Sequence, residues 1–107
     1  MPKIIYGARG LRFTAQQKTG KIISVQKAAY GITAKMRELS GDLEVEMGRN
    51  RLSNYELGKI FETKTLELLA ISAYYGEILG RAIDTNEIVG IDPNNKRGVG
   101  QQAFQAA

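Results

Sequence analysis

The chain has 107 residues, of which 43% are hydrophobic and 24% charged, and its net charge is +4. That length bounds it to one compact domain, and the composition is that of an ordinary folded protein. It contains neither cysteine nor histidine, which excludes disulfides, thiolate nucleophiles, Cys/His zinc sites and triads that need an imidazole.

The positive charge sits at the start. Residues 1–21 hold Lys3, Arg9, Arg12, Lys18 and Lys21 with no acid, so the rest of the chain is close to neutral. Pro2, Gly7, Gly10 and Gly20 punctuate this stretch, and Leu11, Phe13 and Ala15 alternate with Arg12 and Thr14, which is strand periodicity. The reading is an extended basic N-terminal arm, with its five cations as contacts for a polyanion such as nucleic acid. A solubilising role explains the same charges equally well. MPKIIYGARG lacks the apolar core of a secretion signal. The longest uncharged apolar run, Leu68 to Gly76, is nine residues, against the roughly 20 needed to cross a bilayer. The expected location is the cytoplasm or the inside of a virus particle.

From Ile22 the period changes. Ile22, Val25, Ala29, Ile32, Met36, Leu39 and Leu43 follow one another at steps of three and four, predicting a helix over about 22–48 with one apolar side. Ser40-Gly41 marks a point where it can kink. Gly48 to Leu52 forms a connection, and Ser53 with Glu56 has capping-box spacing for a second helix over about 53–83. That helix carries Leu57, Phe61, Lys64, Leu68, Ile71, Tyr75, Ile78 and Ala82 at the same steps, and only Lys64 breaks the stripe. Two long helices of similar length joined by a short loop predict an all-α fold, an antiparallel αα-hairpin packed seam against seam as in a coiled coil. Asp84 and Glu87 again have cap spacing, and Pro93 and NNKRGVG then argue for an irregular tail over 84–107.

The second helix has another apolar run on its far side: Leu66, Leu69, Ser72, Ala73, Gly76, Gly80 and Ile83. Small residues at helical spacing let another backbone approach closely, as Gly-x-x-x-Gly does in membranes. Since the hairpin consumes only the first seam, this second face is the expected oligomer interface.

No motif specifies a reaction. Thr19-Gly20-Lys21 lacks the upstream glycine and the following Ser or Thr of a phosphate loop. Asp84, Asn86, Gly90 and Asp92 lack the spacing of a calcium loop. Glu38, Asp42, Glu46 and Glu62 have no Glu-x-x-His partner of the kind that di-metal bundles use. Lys64 is read as a lysine extending its stem along an interface. We therefore expect no catalytic residue, no cofactor, no metal and no small-molecule substrate. The expectation is a structural or assembly protein that forms homo-oligomers or joins other subunits, with arm and tail reaching neighbours, as in small virus or phage components. The alternative is a sequence-independent nucleic-acid-binding helical dimer that uses the arm.

Overall fold

The computed structural model of the chain describes residues 7–60 and 62–89. Within them every regular element is a helix: α1 (Gly7–Thr19), α2 (Val25–Ser40), α3 (Arg49–Leu57), α4 (Thr65–Leu79) and α5 (Thr85–Ile88). The all-α expectation therefore stands, but five helices replace the two long ones, and the stretch read as an extended arm is helical from Gly7 onward.

α1 forms because Ala8, Leu11 and Ala15, at steps of three and four, are buried on one face. Gly7 and Gly10 are buried with them, and such small residues let α1 lie close to its neighbours. The alternation of Leu11, Phe13 and Ala15 had a different cause. Phe13 lies beneath the guanidinium groups of Arg9 and Arg12, whose Cζ atoms are 5.3 and 5.0 Å from the ring centre. The following loop is pinned back onto α1, since the amide of Ile23 donates to Gln16 Oε1 at 2.9 Å and its carbonyl accepts from Arg12 Nη1 at 3.0 Å.

α2 starts later and stops earlier than its stripe predicts. The Ser24 hydroxyl accepts from the Lys27 amide and caps the first turn, leaving Ile22 outside the helix and 83% exposed. Gly41 closes the other end with φ +71°, its amide donating to the Arg37 carbonyl. Ser40 and Asp42 then accept from the amides of Asp42 and Glu44, turning the chain sharply away. Leu43 is consequently an exposed loop residue and Leu39 is exposed at the helix end.

The segment that follows α2 runs back along it. Thr33 Oγ1 accepts from the Met47 amide at 2.8 Å and donates to its carbonyl, and Arg37 Nε donates to the Val45 carbonyl at 3.0 Å. Met47 is buried by this clamp. α3 begins after Gly48 and ends at Gly58, whose φ of +72° terminates the helix. Ser53 is thus an interior residue of α3 and not a cap. Lys64, the one polar position in the predicted second seam, is the residue immediately before α4. The long helix is therefore interrupted over 58–64, where Leu57 is exposed and Phe61 lies outside the described residues.

α2 and α4 make the most extensive helix–helix contact. Their meeting faces carry Ala29, Ile32 and Met36 against Ile71 and Tyr75, all buried, with Val25, Leu68 and Ile78 packed at the margin. The centre of each predicted seam is thus in the core. Gly31 lies against the Tyr74 ring, and Lys35 pairs with Glu77. Residue numbers rise together across this contact, the reverse of what an antiparallel hairpin requires. α1 packs against α3, α4 and α5, and Leu52, Tyr55 and Ile88 complete the core.

A Cβ on Gly31 would lie 2.9 Å from Tyr74 Cζ and closer still to Cδ1 and Cε1. In an exposed helix Gly→Ala is worth about 1 kcal/mol of stabilisation. Here the ring must move first, so Gly31→Ala is expected to destabilise by about 1–3 kcal/mol. Urea unfolding compared with wild type checks the sign.

Candidate functional site

The residues that sequence reasoning grouped by role are dispersed by the fold. Of the five basic residues expected to meet a polyanion, Lys3 lies outside the described residues. Arg9, Lys18 and Lys21 are exposed on or just after α1. Lys18 Nζ reaches the Leu79 carbonyl at 3.2 Å, where a cation complements the C-terminal end of α4. Arg12 is turned inward. Its Nε and Nη2 donate to the two oxygens of Glu56 at 2.8 and 2.9 Å, a bidentate pair between α1 and α3. It is unavailable to a phosphate.

A second ion pair lies at the other end of α3. Arg51 donates through Nε and Nη2 to Glu67 on α4, at 3.0 and 2.7 Å, and Tyr55 donates its hydroxyl to the same carboxylate at 2.8 Å. Burial by itself pushes the Glu67 carboxyl up, but the hydrogen bonds from Arg51 and Tyr55 and the nearby cations outweigh it and hold it below its ordinary value. Burial first, and then the bond to Glu67, push the Tyr55 phenol up to about 12. Both acids of these pairs are buried and both are matched, so they fasten helices together. Burial also pushes the Tyr75 phenol well up, and its hydroxyl has no hydrogen-bond partner among the described residues. No three acidic side chains converge to hold a metal ion among the described residues.

The predicted second face belongs to α4 only as far as Gly76. Leu66, Leu69, Ser72, Ala73 and Gly76 lie on the side of α4 away from its buried Glu67, Ala70, Ile71 and Tyr75. Gly80 closes α4 in the left-handed conformation with its amide bonded to the Gly76 carbonyl, so it is a terminator and not a member of the stripe. The chain then turns back, and a Cβ on Gly76 would lie 2.9 Å from the Arg81 carbonyl and 3.7 Å from Ile83 Cγ1. Ile83 is buried, and α5 packs on α4. The Gly76 end of the face is therefore covered from within the chain. Toward its other end, among the described residues, Leu66 is half-buried and Leu69 is 48% exposed.

The return to α5 is the cap that Asp84 and Glu87 foretold. Asp84 Oδ1 accepts from the Asn86 amide and Glu87 Oε2 accepts from the Asp84 amide, both at 2.9 Å. Arg81 donates to Glu87, and that bond is the main reason the Glu87 carboxyl titrates below its ordinary value. The first part of the expected tail is thus ordered against α1 and α4. Residues 90–107, the remainder of that tail, lie outside the described residues.

No protein-family model matches the chain, and no curated protein or solved structure is significantly similar to it. Among the described residues no helix is long and apolar enough to cross a membrane.

The two internal pairs differ in how far water can replace a lost partner, since the Arg12 side chain is 14% exposed and that of Arg51 is 34%. Glu56→Gln is expected to cost about 3 kcal/mol by stranding a buried guanidinium, and Glu67→Gln about 1–2 kcal/mol. The carboxylate of Glu67 has a lowered folded-state pKa, so its contribution is complete above the ordinary value of 4.5 and disappears as pH falls through the lower folded value. The difference in melting temperature between wild type and Glu67→Gln should therefore be full at pH 7 and shrink below pH 4.5.

Proposed function

We propose that the protein is an assembly subunit that associates with a second copy of itself through the outward face of α4. The carrying observation is the charge pattern of that helix. Its fifteen residues include two charges, Glu67 and Glu77, and both are already matched, by Arg51 and by Lys35. A surface helix ordinarily turns its charges toward water. The side of α4 opposite its buried residues carries exposed Leu69 and half-buried Leu66, Ser72 and Ala73, and the exposed Glu77 at its edge is turned to Lys35 of the same chain.

A second copy suits this face for two reasons. The apolar strip of Leu66, Leu69 and Ala73 is complementary to itself under a two-fold axis, and the one charge at its edge, Glu77, is already paired with Lys35. The small side chain of Ala73, one turn after Leu69, allows close approach of two helix axes. Membership of a larger particle, such as a virus or phage particle, would extend the same assembly. Catalysis has no part in this reading. A nucleic-acid role has less support, because Arg12 is committed to Glu56 and the exposed cations of the described N-terminal stretch reduce to Arg9, Lys18 and Lys21.

Light scattering on the full chain tests the reading. Wild type should run as a dimer or larger species at micromolar concentration. Leu69→Lys places a charge on an already half-exposed position and should give monomers with unchanged helicity. A monomeric wild type, or a Leu69→Lys variant that associates as before, would overturn the proposal.

A further inference from the structure

The clamp that lays residues 45–47 along α2 also builds an open cleft of about 350 Å³ between α2 and the start of α3. This is within the size range of small-molecule sites. Its α2 wall carries Gln26, Tyr30, Thr33 and Arg37, which fall on one face at steps of four, three and four. Glu46 and Arg49 come from the opposite wall.

Two properties give the cleft a chemistry. The first is charge, with two guanidinium groups against one carboxylate. Arg37 is held by the bond from its Nε to the Val45 carbonyl, and its two Nη groups carry no bond among the described residues. Arg49 likewise makes no side-chain hydrogen bond or ion pair among the described residues. Guanidinium groups with spare donors match planar oxyanions, which accept two parallel N–H bonds. The second property is the aromatic rim. Tyr30 is 70% exposed, and at that position a large flat side chain gains little from the protein's own core. It does offer a surface for another ring. The opposite wall is held in place by Thr33, bonded to both the amide and the carbonyl of Met47, so the cleft is present before any ligand arrives.

We propose that this cleft binds a small aromatic oxyanion, a flat ring bearing a phosphate or carboxylate group, with Arg37 and Arg49 on the oxyanion and Tyr30 against the ring. Glu46 limits the excess charge of the site to one positive unit, which favours a small ligand of low charge over a polyanion. The cleft shares no residue with the outward face of α4 and does not depend on self-association.

The full chain, labelled with nitrogen-15, is titrated with phenyl phosphate, benzoate, inorganic phosphate and phenol while amide resonances are followed. Phenyl phosphate or benzoate should shift the amides of Tyr30, Arg37 and residues 45–49 saturably, and the preferred one identifies the oxyanion. Phosphate and phenol should each bind at least about tenfold more weakly, having lost one of the two contacts. Arg49→Gln should weaken the aromatic oxyanion about tenfold, the size of one charged hydrogen bond. Tyr30→Ala should weaken it about fivefold, the size of one ring contact. Circular dichroism of both variants should match wild type, because neither side chain supports the fold. The proposal is overturned if neither aromatic oxyanion gives a saturable shift at these residues, if phosphate alone or phenol alone binds as tightly, or if Arg49→Gln leaves the affinity unchanged.

Discussion

The bidentate contact of Arg12 with Glu56 is the constraint on which the arrangement of helices rests. Arg12 stands on α1 and Glu56 on α3, and the third donor of the same guanidinium holds the Ile23 carbonyl just before α2. One side chain therefore fixes the relative positions of three helices, and the core residue Tyr75 of α4 feels the charge of both partners. An ion pair buried to this degree gains little over an apolar pair of the same volume. What it adds is direction, because a planar fork accepts one orientation where greasy side chains accept several. The Arg51–Glu67–Tyr55 cluster does the same between α3 and α4. α3, the shortest helix apart from α5, is thus held from both ends by ions.

The periodic stripes run through the centre of the core and on past its ends, for one physical reason. A stripe at steps of three and four reports which side of a helix is buried wherever a helix exists. It does not report where the backbone stops being helical. Ala29, Ile32, Met36, Ile71 and Tyr75 are buried as the pattern requires, whereas Ile22, Leu39, Leu43 and Leu57 continue the arithmetic beyond a cap and face water. Two of the breaks were nevertheless written in the chain. Ser40-Gly41-Asp42 combines a left-handed terminator with two turn-forming side chains, and Lys64 is polar because it lies outside α4, not because it tolerates an apolar seam. α1 left a fainter trace. Its buried face is made of Gly7, Ala8, Gly10, Leu11 and Ala15, whose small side chains give weak hydrophobic periodicity, and tertiary contact supplies most of the reason for it to be helical.

The outward stripe of α4 was legible because helical spacing is a local property of a sequence. How much of that face stays uncovered was not, since the covering depends on residues 81–88 folding back over Gly76, a contact that no local pattern encodes. The basic residues show the converse. Their concentration in the first 21 positions is plain, but whether a cation faces water or a carboxylate is decided 44 positions away, at Glu56. The cleft beside α2 had no sequence signature at all. Gln26, Tyr30, Thr33 and Arg37 form an unremarkable polar stripe until the Thr33–Met47 clamp supplies the other wall.

Tyr74 and Tyr75 stand edge to face with ring centres 5.0 Å apart, and the Tyr74 ring fills the space left by Gly31. The chain has no tryptophan and five tyrosines in all, so these two rings sit where the principal helix pair meets and account for a large part of its ultraviolet chromophores. Rings locked in an asymmetric contact produce near-ultraviolet circular dichroism that vanishes when packing loosens, even while helices persist. The molecule therefore carries its own optical gauge of α2–α4 docking, separate from the far-ultraviolet signal of its helices.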